Sequence, residues 1–446
     1  MKTKKLFRAL SFAQTCLIAV VTIGTMACSK SKKTDETEQT AQKEKSAETE
    51  LSEWNDAEIV KYAKCFNDLC VEFNQTGFWW DCSQLILRAK DSSPSEYGIA
   101  KPEIISTIMS CYQDWPSNKG DLNVFEEEDA FTAVKNMKAG WNLGNTLDST
   151  SYEAKLTADG NSYYDNFSVE DEEGWILKWG EKDASGKVTV KGFETAWGQA
   201  ETTREIISYV KKAGFGAVRV PVTWAEHLDE NDNVDPQWMS RVHQVVDYVN
   251  DEGLYCILNV HHDGGASGWV KAEKRAYDRY SSRYKKLWTQ IAEEFKDYDE
   301  RLLFESMNEV SSKIERTAES YEYINKWNQL FVDTVRATGG KNKIRNLVVM
   351  PYGGSGSNTD LVKFIMPEDS VQNHLILEVH NYDPQGFCFE SAPWTTETAL
   401  WDYFQGPLSL RVDFLNVDSH AKEWNVPVII GEYAAFSKKY ADYDKK

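Results

Sequence analysis

The sequence has too little positive charge for a protein that binds nucleic acid. Its 50 lysine and arginine residues are outnumbered by 70 aspartate and glutamate residues, so the formal net charge is −20. Binding to DNA or RNA depends on a basic surface that neutralises backbone phosphates. We therefore exclude nucleic acid as a partner and expect a neutral substrate and a solvated exterior.

Histidine is missing beside the cysteines, which argues against a zinc site among them. Four cysteines lie close together in the sequence, with irregular spacing, at Cys65, Cys70, Cys82 and Cys111. Zinc ligands usually recur at short, regular spacings. Disulfide bonds are the alternative in an exported chain, and their pairing cannot be deduced from the sequence. A zinc hydrolase is disfavoured as well, because His261-His262-Asp263 is a loop sequence without the helical H-E-x-x-H motif.

Residues 29–50 contain almost nothing apolar, which predicts a solvated linker. In front of them, a basic start and an apolar run (Leu10–Ile23) end in small residues before Cys28. The apolar run is short for a spanning helix, and residues 1–28 are similar to a bacterial lipoprotein signal whose cleavage leaves Cys28 to carry lipid. The alternatives are an ordinary secretory signal and an uncleaved anchor. We expect export to the cell surface, the periplasm or the medium.

Residues 51–125 are predicted to be mainly helical and to precede the main domain. Apolar residues recur at helical spacing between Ile59 and Cys70, and again between Ile104 and Met109. The pair Trp79-Trp80 is either an exposed platform for a sugar ring or part of a small disulfide-stapled core. We favour the core.

The chain from residue 131 to 446 alternates apolar strands with amphipathic helices. Seven strands are predicted, at Met137–Leu143, Ala217–Val222, Leu254–His261, Leu302–Glu309, Asn346–Tyr352, His374–Tyr382 and Val426–Glu432. Five helices are predicted, at Thr203–Ala213, Pro236–Glu252, Ser282–Phe295, Ser320–Thr338 and Leu408–Trp424. Repeating βα units indicate an α/β fold with a parallel sheet, and this length suits a TIM (β/α)8 barrel.

An eighth strand is missing from this prediction. The chain stops at Lys446, shortly after the seventh strand, and no segment after residue 130 offers a replacement. A barrel without its last strand has two open edges, which destabilise it and favour aggregation. We therefore expect a chain truncated at its C-terminus, with an incomplete barrel.

Polar residues stand where the predicted strands end, and two of them are glutamates, Glu309 and Glu432. Residues at the carboxyl ends of barrel strands meet at the mouth, where chemistry takes place. Two carboxyl groups are what glycoside hydrolysis requires, one as proton donor and one as nucleophile or base. Five further polar residues accompany them at the strand ends: Arg219, His261, Asn308, His380 and Tyr382. Arg219 lies inside an apolar run, so it needs a carboxylate partner, and we expect Glu432.

These stretches resemble the cellulases of glycoside hydrolase family 5, most closely subfamily 4. The similar motifs are Leu302–Val310, Gly140–Asp148, Glu194–Gly198, Val218–Trp224 and Asn259–Asp263, within roughly residues 131–440. The resemblance implies that Glu309 is the acid/base and Glu432 the nucleophile of a retaining double displacement, with the five polar residues above in support. It adds weaker candidates for glucan contacts: Trp141, Asn145, Trp197 and Trp269. It also implies an aromatic platform, a tryptophan on strand eight, which the predicted barrel lacks.

The implied reaction is endo-hydrolysis of a β-1,4-glucan by a monomer, with no metal or organic cofactor. Glu309 is expected to be protonated at rest, because burial and the charge of Glu432 would raise its pKa. Cellulose, xyloglucan, mixed-linkage glucan, mannan and xylan all remain candidate substrates. The rival function is a non-catalytic glycan-binding surface lipoprotein that kept the cleft. The missing strand favours the rival, and the intact pair of glutamates opposes it.

Overall fold

A closed barrel of eight parallel strands forms the centre of the protein. The computed structural model describes residues 56–88, 94–115, 128–150, 181–264, 268–312, 316–388, 401 and 406–436. The barrel strands are β1 (Thr76–Asp81), β4 (Gly140–Leu143), β5 (Ala217–Val220), β6 (Tyr255–Asn259), β7 (Leu302–Glu305), β8 (Leu347–Val349), β9 (Leu375–His380) and β10 (Val428–Tyr433). Two short strands, β2 (Ile86–Leu87) and β3 (Gly98–Ile99), pair antiparallel outside it.

The strand that closes the barrel is β1, from the N-terminal part of the chain. It pairs in parallel with β10 on one side, where Thr76 is opposite Ile429, and with β4 on the other, where Trp80 is opposite Asn142. The prediction of seven strands with a missing eighth was therefore wrong. The strand was overlooked because it lies before the barrel repeats in sequence, inside a region that was predicted to be mainly helical.

Helix α1 (residues 56–72) fixes β1 in place by packing against the C-terminal part of the barrel. The Phe66 ring stacks on the Tyr433 ring with centroids 3.9 Å apart. Asn67 donates a hydrogen bond from Nδ2 to the hydroxyl of Tyr433 at 3.0 Å. Stacked aromatic rings and a satisfied buried amide both stabilise such a junction. The two ends of the described chain therefore meet in one hydrophobic core.

The remaining helices surround the barrel, and most begin at a side chain that accepts a hydrogen bond from the first turn. Thr203, Asp235 and Thr317 cap three of them in this way. The helices are α2 (Pro102–Cys111), α3 (Ala130–Met137), α4 (Val190–Glu194), α5 (Arg204–Ala213), α6 (Pro236–Asp251), α7 (Lys274–Glu294), α8 (Ala318–Ala337), α9 (Asn358–Leu361), α10 (Gln385–Cys388) and α11 (Gly406–Trp424). The predicted helices agree with these bounds, except that α7 begins at Lys274 rather than Ser282.

Disulfide bonds do not form among the cysteines of the described residues. Cys65, Cys70 and Cys111 are not joined to one another there, so the structure contradicts the disulfide-stapled core. The signal segment with Cys28 and the linker at 29–50 lie outside the described residues. Among the helices that the structure does describe, none combines the length and apolarity that a membrane crossing requires.

Two layers of inward side chains fill the barrel. The lower layer is apolar and packs on α3; it consists of Phe78, Ala217, Ile257, Leu303, Val348, Ile376 and Ile429. Alternate residues of a strand point to the same side, so the residues two positions further along form a second layer above the first. That layer is largely polar: Asn142, Arg219, Asn259, Glu305 and Glu378 are all fully buried. It supports the mouth of the barrel.

Candidate active site

Glu309 and Glu432 reach the mouth from two different strands. Glu309 follows the end of β7, and its φ of 45° is unusual for a residue with a side chain. Such backbone strain persists where the surroundings enforce it, which is common at functional sites. Glu432 lies on β10, where the register with β9 shifts between Ile430 and Glu432. This irregularity re-aims the side chain toward the barrel axis.

The two carboxylates meet at His380, the last residue of β9. Its Nδ1 lies 2.7 Å from Oε1 of Glu309 and 3.6 Å from Oε2 of Glu432. One oxygen of each carboxylate and one ring nitrogen of His380 all lie within 4.8 Å of one another. The sequence prediction that these strand ends converge therefore holds for all three side chains.

Arg219 holds the layer beneath them. Its Nη1 donates to Oε1 of Glu432 at 2.8 Å. Its Nε and Nη2 donate to the two oxygens of Glu305, at 2.6 and 2.7 Å, in a bidentate fork. The side chain has no exposed surface. A buried guanidinium that is paired on all sides orients the carboxylates around it and favours their ionised form, although burial still raises the pKa of Glu305 to about 7.

Three further predicted residues contact this network. Asn308 accepts a hydrogen bond from Nη2 of Arg219 through Oδ1 at 2.8 Å, which orients its amide. The hydroxyl of Tyr382 donates to Oε2 of Glu432 at 3.0 Å. His261 is almost fully buried and its ring lies parallel to that of Trp80, with centroids 5.7 Å apart.

Burial and the charges of neighbouring groups act in opposite directions on the pKa values of His380 and the two glutamates. Burial opposes its charge, but the carboxylates of Glu432, Glu309 and Glu378 outweigh burial and raise the pKa of His380 to about 10. Burial likewise opposes ionisation of Glu309, yet the hydrogen bond and charge of His380 lower the pKa of Glu309 below its usual range. Burial raises the pKa of Glu432. The contact with His380 therefore opposes the expected protonation of Glu309, while burial favours it.

His261 carries its proton on Nε2. The amide of Asn259 is oriented by Val222, whose N–H donates to Oδ1 at 3.0 Å. Nδ2 of Asn259 donates to Glu305 and faces Nδ1 of His261 at 3.0 Å. Since Nδ1 must then accept, the ring is neutral with an Nε2–H. Burial also keeps the pKa of His261 well below its usual range.

Two groups of side chains lie close enough to be considered for a metal ion, Asp148 with His261 and His262, and Glu309 with His380 and Glu432. In the first group, the protonated Nε2 of His261 has no lone pair for a ligand bond. In the second, Nδ1 of His380 already faces Oε1 of Glu309 at 2.7 Å, so a cation would have to replace this contact.

The four predicted glucan contacts divide into two pairs. Trp141 has no exposed surface, and its Nε1 donates to Asp81 at 2.8 Å. Trp269 is 2% exposed, and its Nε1 donates to Asp263 at 2.6 Å. Both predictions were wrong, because these rings belong to the core and cannot stack on a sugar. Trp197 and Asn145 retain some surface, and the Trp197 ring lies 5.3 Å from that of His262 near the mouth.

Trp80, which was predicted to belong to a small core, faces the inside of the barrel. It is 8% exposed, and it follows the inward alternation of β1 above Phe78. Its neighbour Trp79 points to the other side, against Tyr433, and has no exposed surface. One sequence signal could have placed Trp80 on a strand. The pair of tryptophans is followed by Asp81 at the end of an aromatic-rich segment, and aromatic residues favour strands.

Comparison with known proteins agrees with this geometry. The model of the family Cellulase (glycosyl hydrolase family 5) matches residues 182–446, more than half of the chain. The chain belongs to glycoside hydrolase family 5. Endoglucanase A of Clostridium longisporum is 36% identical to it over 341 residues, which cover 75% of this chain and 58% of that protein.

Solved structures of family 5 members share the fold. A family 5 enzyme from Prevotella bryantii B14, in complex with the xyloglucan tetradecasaccharide XXXGXXXG, is 38% identical with a TM-score of 0.56. The match covers 70% of this chain and 80% of that one. A GH5-4 broad specificity endoglucanase from Ruminococcus champanellensis with bound cellotriose is 34% identical, with a TM-score of 0.58 over 70% and 81% of the two chains.

The chain spans about three fifths of the length of the first curated relatives that it matches, the endoglucanases of Clostridium longisporum and Clostridium cellulovorans. Family membership and the barrel follow from these comparisons. The activity, the substrate and the roles of individual residues rest on the site itself.

Proposed function

We propose that this protein is an endo-acting, retaining hydrolase of β-1,4-glucans. The observation that carries the proposal is the approach of one oxygen of Glu309 and one of Glu432 to within 4.8 Å. Retaining glycosidases hold their carboxyl groups about 5–5.5 Å apart, whereas inverting enzymes leave about 6.5–9.5 Å for a water molecule. The short separation favours direct attack by a carboxylate on the sugar.

In the first step, Glu432 attacks the anomeric carbon while Glu309 delivers a proton to the leaving oxygen. In the second step, Glu309 takes a proton from water, and the water oxygen replaces Glu432 on the sugar. Arg219 and Tyr382 both hydrogen-bond Glu432 and aim it, because one donor contacts each carboxylate oxygen. The reaction needs no metal and no organic cofactor.

Substrate contacts come from residues around the two glutamates. Asn308 suits a hydrogen bond to the sugar 2-hydroxyl, a contact that strengthens in the transition state. Trp80 takes the place of the strand-eight tryptophan that the family resemblance implies, since β1 is the strand between β10 and β4. Trp197 and Asn145 retain some surface and are proposed to contact neighbouring glucose units.

Xyloglucan and cellulose are the substrates that we place first. The Prevotella bryantii structure contains xyloglucan and the Ruminococcus champanellensis structure contains cellotriose. Mixed-linkage glucan shares the same backbone sugar, while mannan and xylan remain alternatives. The non-catalytic binding protein loses its main support, because the barrel that was expected to be open is closed by β1.

We also propose that the protein is exported as a monomer and anchored by lipid on Cys28. The support is the order of basic residues, apolar run and small residues before Cys28 in the sequence. Metabolic labelling with a radioactive fatty acid tests this, and Cys28→Ala should abolish the label. Labelling that persists in the variant would contradict the anchor.

The experiment that tests the activity measures reducing-sugar release from carboxymethyl-cellulose and xyloglucan by the full chain. Glu432→Ala should lower the rate by several orders of magnitude, because no nucleophile remains, and Glu309→Gln should do so for substrates with poor leaving groups. Glu423→Ala is the matched control, because Glu423 is an exposed glutamate on α11. Undiminished turnover by Glu432→Ala would contradict the assignment, as would an inverted anomer in the first product observed by NMR.

A further inference from the structure

The hydroxyl of Thr223 joins two loops at the mouth of the barrel, and the reaction as proposed does not use it. Thr223 follows β5, which lies between β4 and β6 in the sheet, and it is 1% exposed. Its Oγ1 donates to the carbonyl oxygen of Asp148, in the loop after β4, at 2.8 Å. The same oxygen accepts the N–H of His262, in the loop after β6, at 3.2 Å. One buried hydroxyl therefore links the loops on both sides of its own strand.

The loop after β4 is held as one unit around Asp148. Oδ2 of Asp148 accepts the N–H of Asn145 at 3.1 Å, and Oδ1 accepts the N–H of Thr146 at 2.7 Å. Such contacts between a side chain and nearby backbone groups fix the conformation of a turn. Thr223 contacts this loop a second time, because its N–H donates to the carbonyl oxygen of Leu147 at 3.0 Å. The position of Asn145 at the mouth therefore depends on Thr223.

On the other side of β5, the loop after β6 carries the ring of His262. This ring contacts the ring of His261, with centroids 4.5 Å apart, and the ring of Trp197, with centroids 5.3 Å apart. His261 in turn lies parallel to Trp80. Each ring in the series therefore contacts the next, and His262 connects Trp197 to His261 and Trp80.

Asn145, His262 and Trp197 form a surface that we call the outer sugar face. Asn145 and Trp197 are 7% and 9% exposed, and the His262 side chain is 12% exposed. An amide and two aromatic rings suit a glucose unit, because rings pack on its apolar face and an amide hydrogen-bonds its hydroxyl groups. The proposed function already assigns Asn145 and Trp197 to glucose units next to the one that is cleaved, and His262 lies against the same tryptophan.

Trp197 is anchored independently of Thr223. It follows α4, whose last residue, Glu194, accepts hydrogen bonds from Nε and Nη2 of Arg241 on α6, at 2.7 and 2.9 Å. Both partners of this ion pair are buried. A bidentate pair of this kind fixes the orientation of its partners. A change at Thr223 would therefore act on the loops after β4 and β6 while Trp197 keeps its place.

We propose that Thr223 is a positioning residue whose hydroxyl sets the spacing between Asn145 and His262, and with it the affinity of the outer sugar face for the glucan chain. The inference rests on the proposed glycosidase function and adds a residue that governs the binding of sugars remote from the cleaved bond. Because Thr223 is buried, it does not touch the sugar and acts through its hydrogen bonds to the two loops. We therefore expect loss of the hydroxyl to change binding rather than the chemical step.

Two substitutions separate the hydroxyl from the shape of the side chain. Thr223→Val has nearly the same shape but neither donates nor accepts a hydrogen bond, whereas Thr223→Ser keeps the hydroxyl. Thr76→Val is the matched control, because Thr76 is also buried and its hydroxyl donates to the carbonyl oxygen of Val134 at 2.7 Å, at the opposite end of the barrel. Thr223→Ala removes the same hydroxyl and replaces Thr223→Val if the valine variant does not fold.

The first test measures the binding of cellohexaose to the full chain by isothermal titration calorimetry, in the Glu432→Ala background so that no turnover occurs. We expect Thr223→Val to raise the dissociation constant about three- to tenfold, and Thr223→Ser and Thr76→Val to change it by about twofold at most. An unchanged dissociation constant in Thr223→Val would overturn the proposal, as would equal increases in all three variants. A Glu432→Ala chain that does not bind cellohexaose would overturn it as well, because no glucan-binding face would then exist.

The second test compares KM and kcat on xyloglucan. Thr223→Val should raise KM by the same factor and change kcat by about twofold at most, because contacts remote from the cleaved bond contribute equally to the ground state and the transition state. A fall in kcat with an unchanged KM would indicate a merely structural role and would overturn the proposal. If cellohexaose binding responds as expected but the original chain hydrolyses no glucan, the proposed function alone is contradicted.

Discussion

The two layers of side chains inside the barrel differ in chemistry although they are contributed by the same strands. Phe78, Ala217, Leu303 and Ile376 belong to the lower, apolar layer. The residues two positions later on three of those strands are Arg219, Glu305 and Glu378, which are charged and fully buried. The strand period of two therefore places a hydrophobic plug directly beneath an ionic network.

The comparison shows that residues which stabilise the barrel and residues which serve its function lie two positions apart on the same strands. The lower layer removes apolar surface from water, which is the main stabilising contribution in a protein. The upper layer places charges in the interior, where the dielectric constant is low. There the free-energy cost of removing the charges from water offsets most of the free energy gained by pairing them. Its contacts position the site, since Arg219 donates a hydrogen bond to Glu432 at 2.8 Å.

Removing the cation of the upper layer should have the largest effect. Arg219→Met leaves Glu305, Glu378 and Glu432 buried without their guanidinium, and breaking a buried ion pair from one side costs about 3–5 kcal/mol. We expect a fall of this size in the free energy of unfolding, measured in urea, together with loss of hydrolysis. Arg411→Met is the matched control, because Arg411 forms an exposed ion pair with Glu72 and should contribute less than about 1 kcal/mol. Equal losses in the two variants would contradict the prediction.

Much of this arrangement could be predicted from the sequence. Short apolar runs between amphipathic helices gave seven of the eight barrel strands, and polar residues at their ends gave the residues that meet at the mouth. A charge inside the run Ala217–Val220 indicated that Arg219 needs a partner, and Glu432 is one of its partners. These signals are local, because they depend only on strand period and burial.

The rest depends on contacts that sequence spacing does not encode. Strand β1 was missed because its neighbours in space, β10 and β4, are distant from it in sequence. Trp141 lies on β4 and Trp269 lies between β6 and α7, and each ring is buried with its N–H donating to an aspartate. Sequence spacing also does not show that three carboxylates from different strands surround His380 and raise its pKa.

The two layers can be compared within β1 itself. Phe78 belongs to the apolar layer, and its ring fills the space above Gly140, where a Cβ atom would lie 2.1 Å from it. Phe78→Ala should therefore lower the free energy of unfolding by about 3–5 kcal/mol, through lost burial and the cavity that remains. Phe131→Ala, an exposed phenylalanine on α3, is the control and should change it far less. A stable Phe78→Ala protein would show that the lower layer can collapse to fill the space.

Two residues further along the strand, Trp80→Ala should mainly affect activity. The ring lies parallel to His261 at the mouth, so its loss removes the proposed sugar platform. We expect kcat/KM on xyloglucan to fall about tenfold or more, since an aromatic contact worth about 1.4 kcal/mol corresponds to that factor. Full activity together with reduced stability in Trp80→Ala would show that Trp80 serves stability, as the residues of the lower layer do.

The last predicted effect lies below both layers, where a partly buried carboxyl group has hydrogen bonds but forms no ion pair within the described part of the chain. Glu128 accepts a hydrogen bond from Tyr255 at 2.9 Å and another from Asn136. Burial raises the pKa of Glu128 to about 7. The folded state therefore binds a proton more tightly than the unfolded chain does. This contribution is fully present below about pH 4.5 and is lost as the pH rises through 7.

Glu128→Gln is neutral at every pH and removes this dependence. Relative to the original protein, the variant should gain about 1–2 kcal/mol between pH 5 and pH 8, a figure reduced from the full shift because the side chain is partly exposed. Thermal unfolding of both proteins at the two pH values measures the difference. Glu230→Gln, a change at an exposed glutamate, should show no such gain. If the difference in stability between the two proteins did not change with pH, Glu128 would be ionised in the folded protein over this range. A positive charge near the lower layer would then have to compensate for its burial.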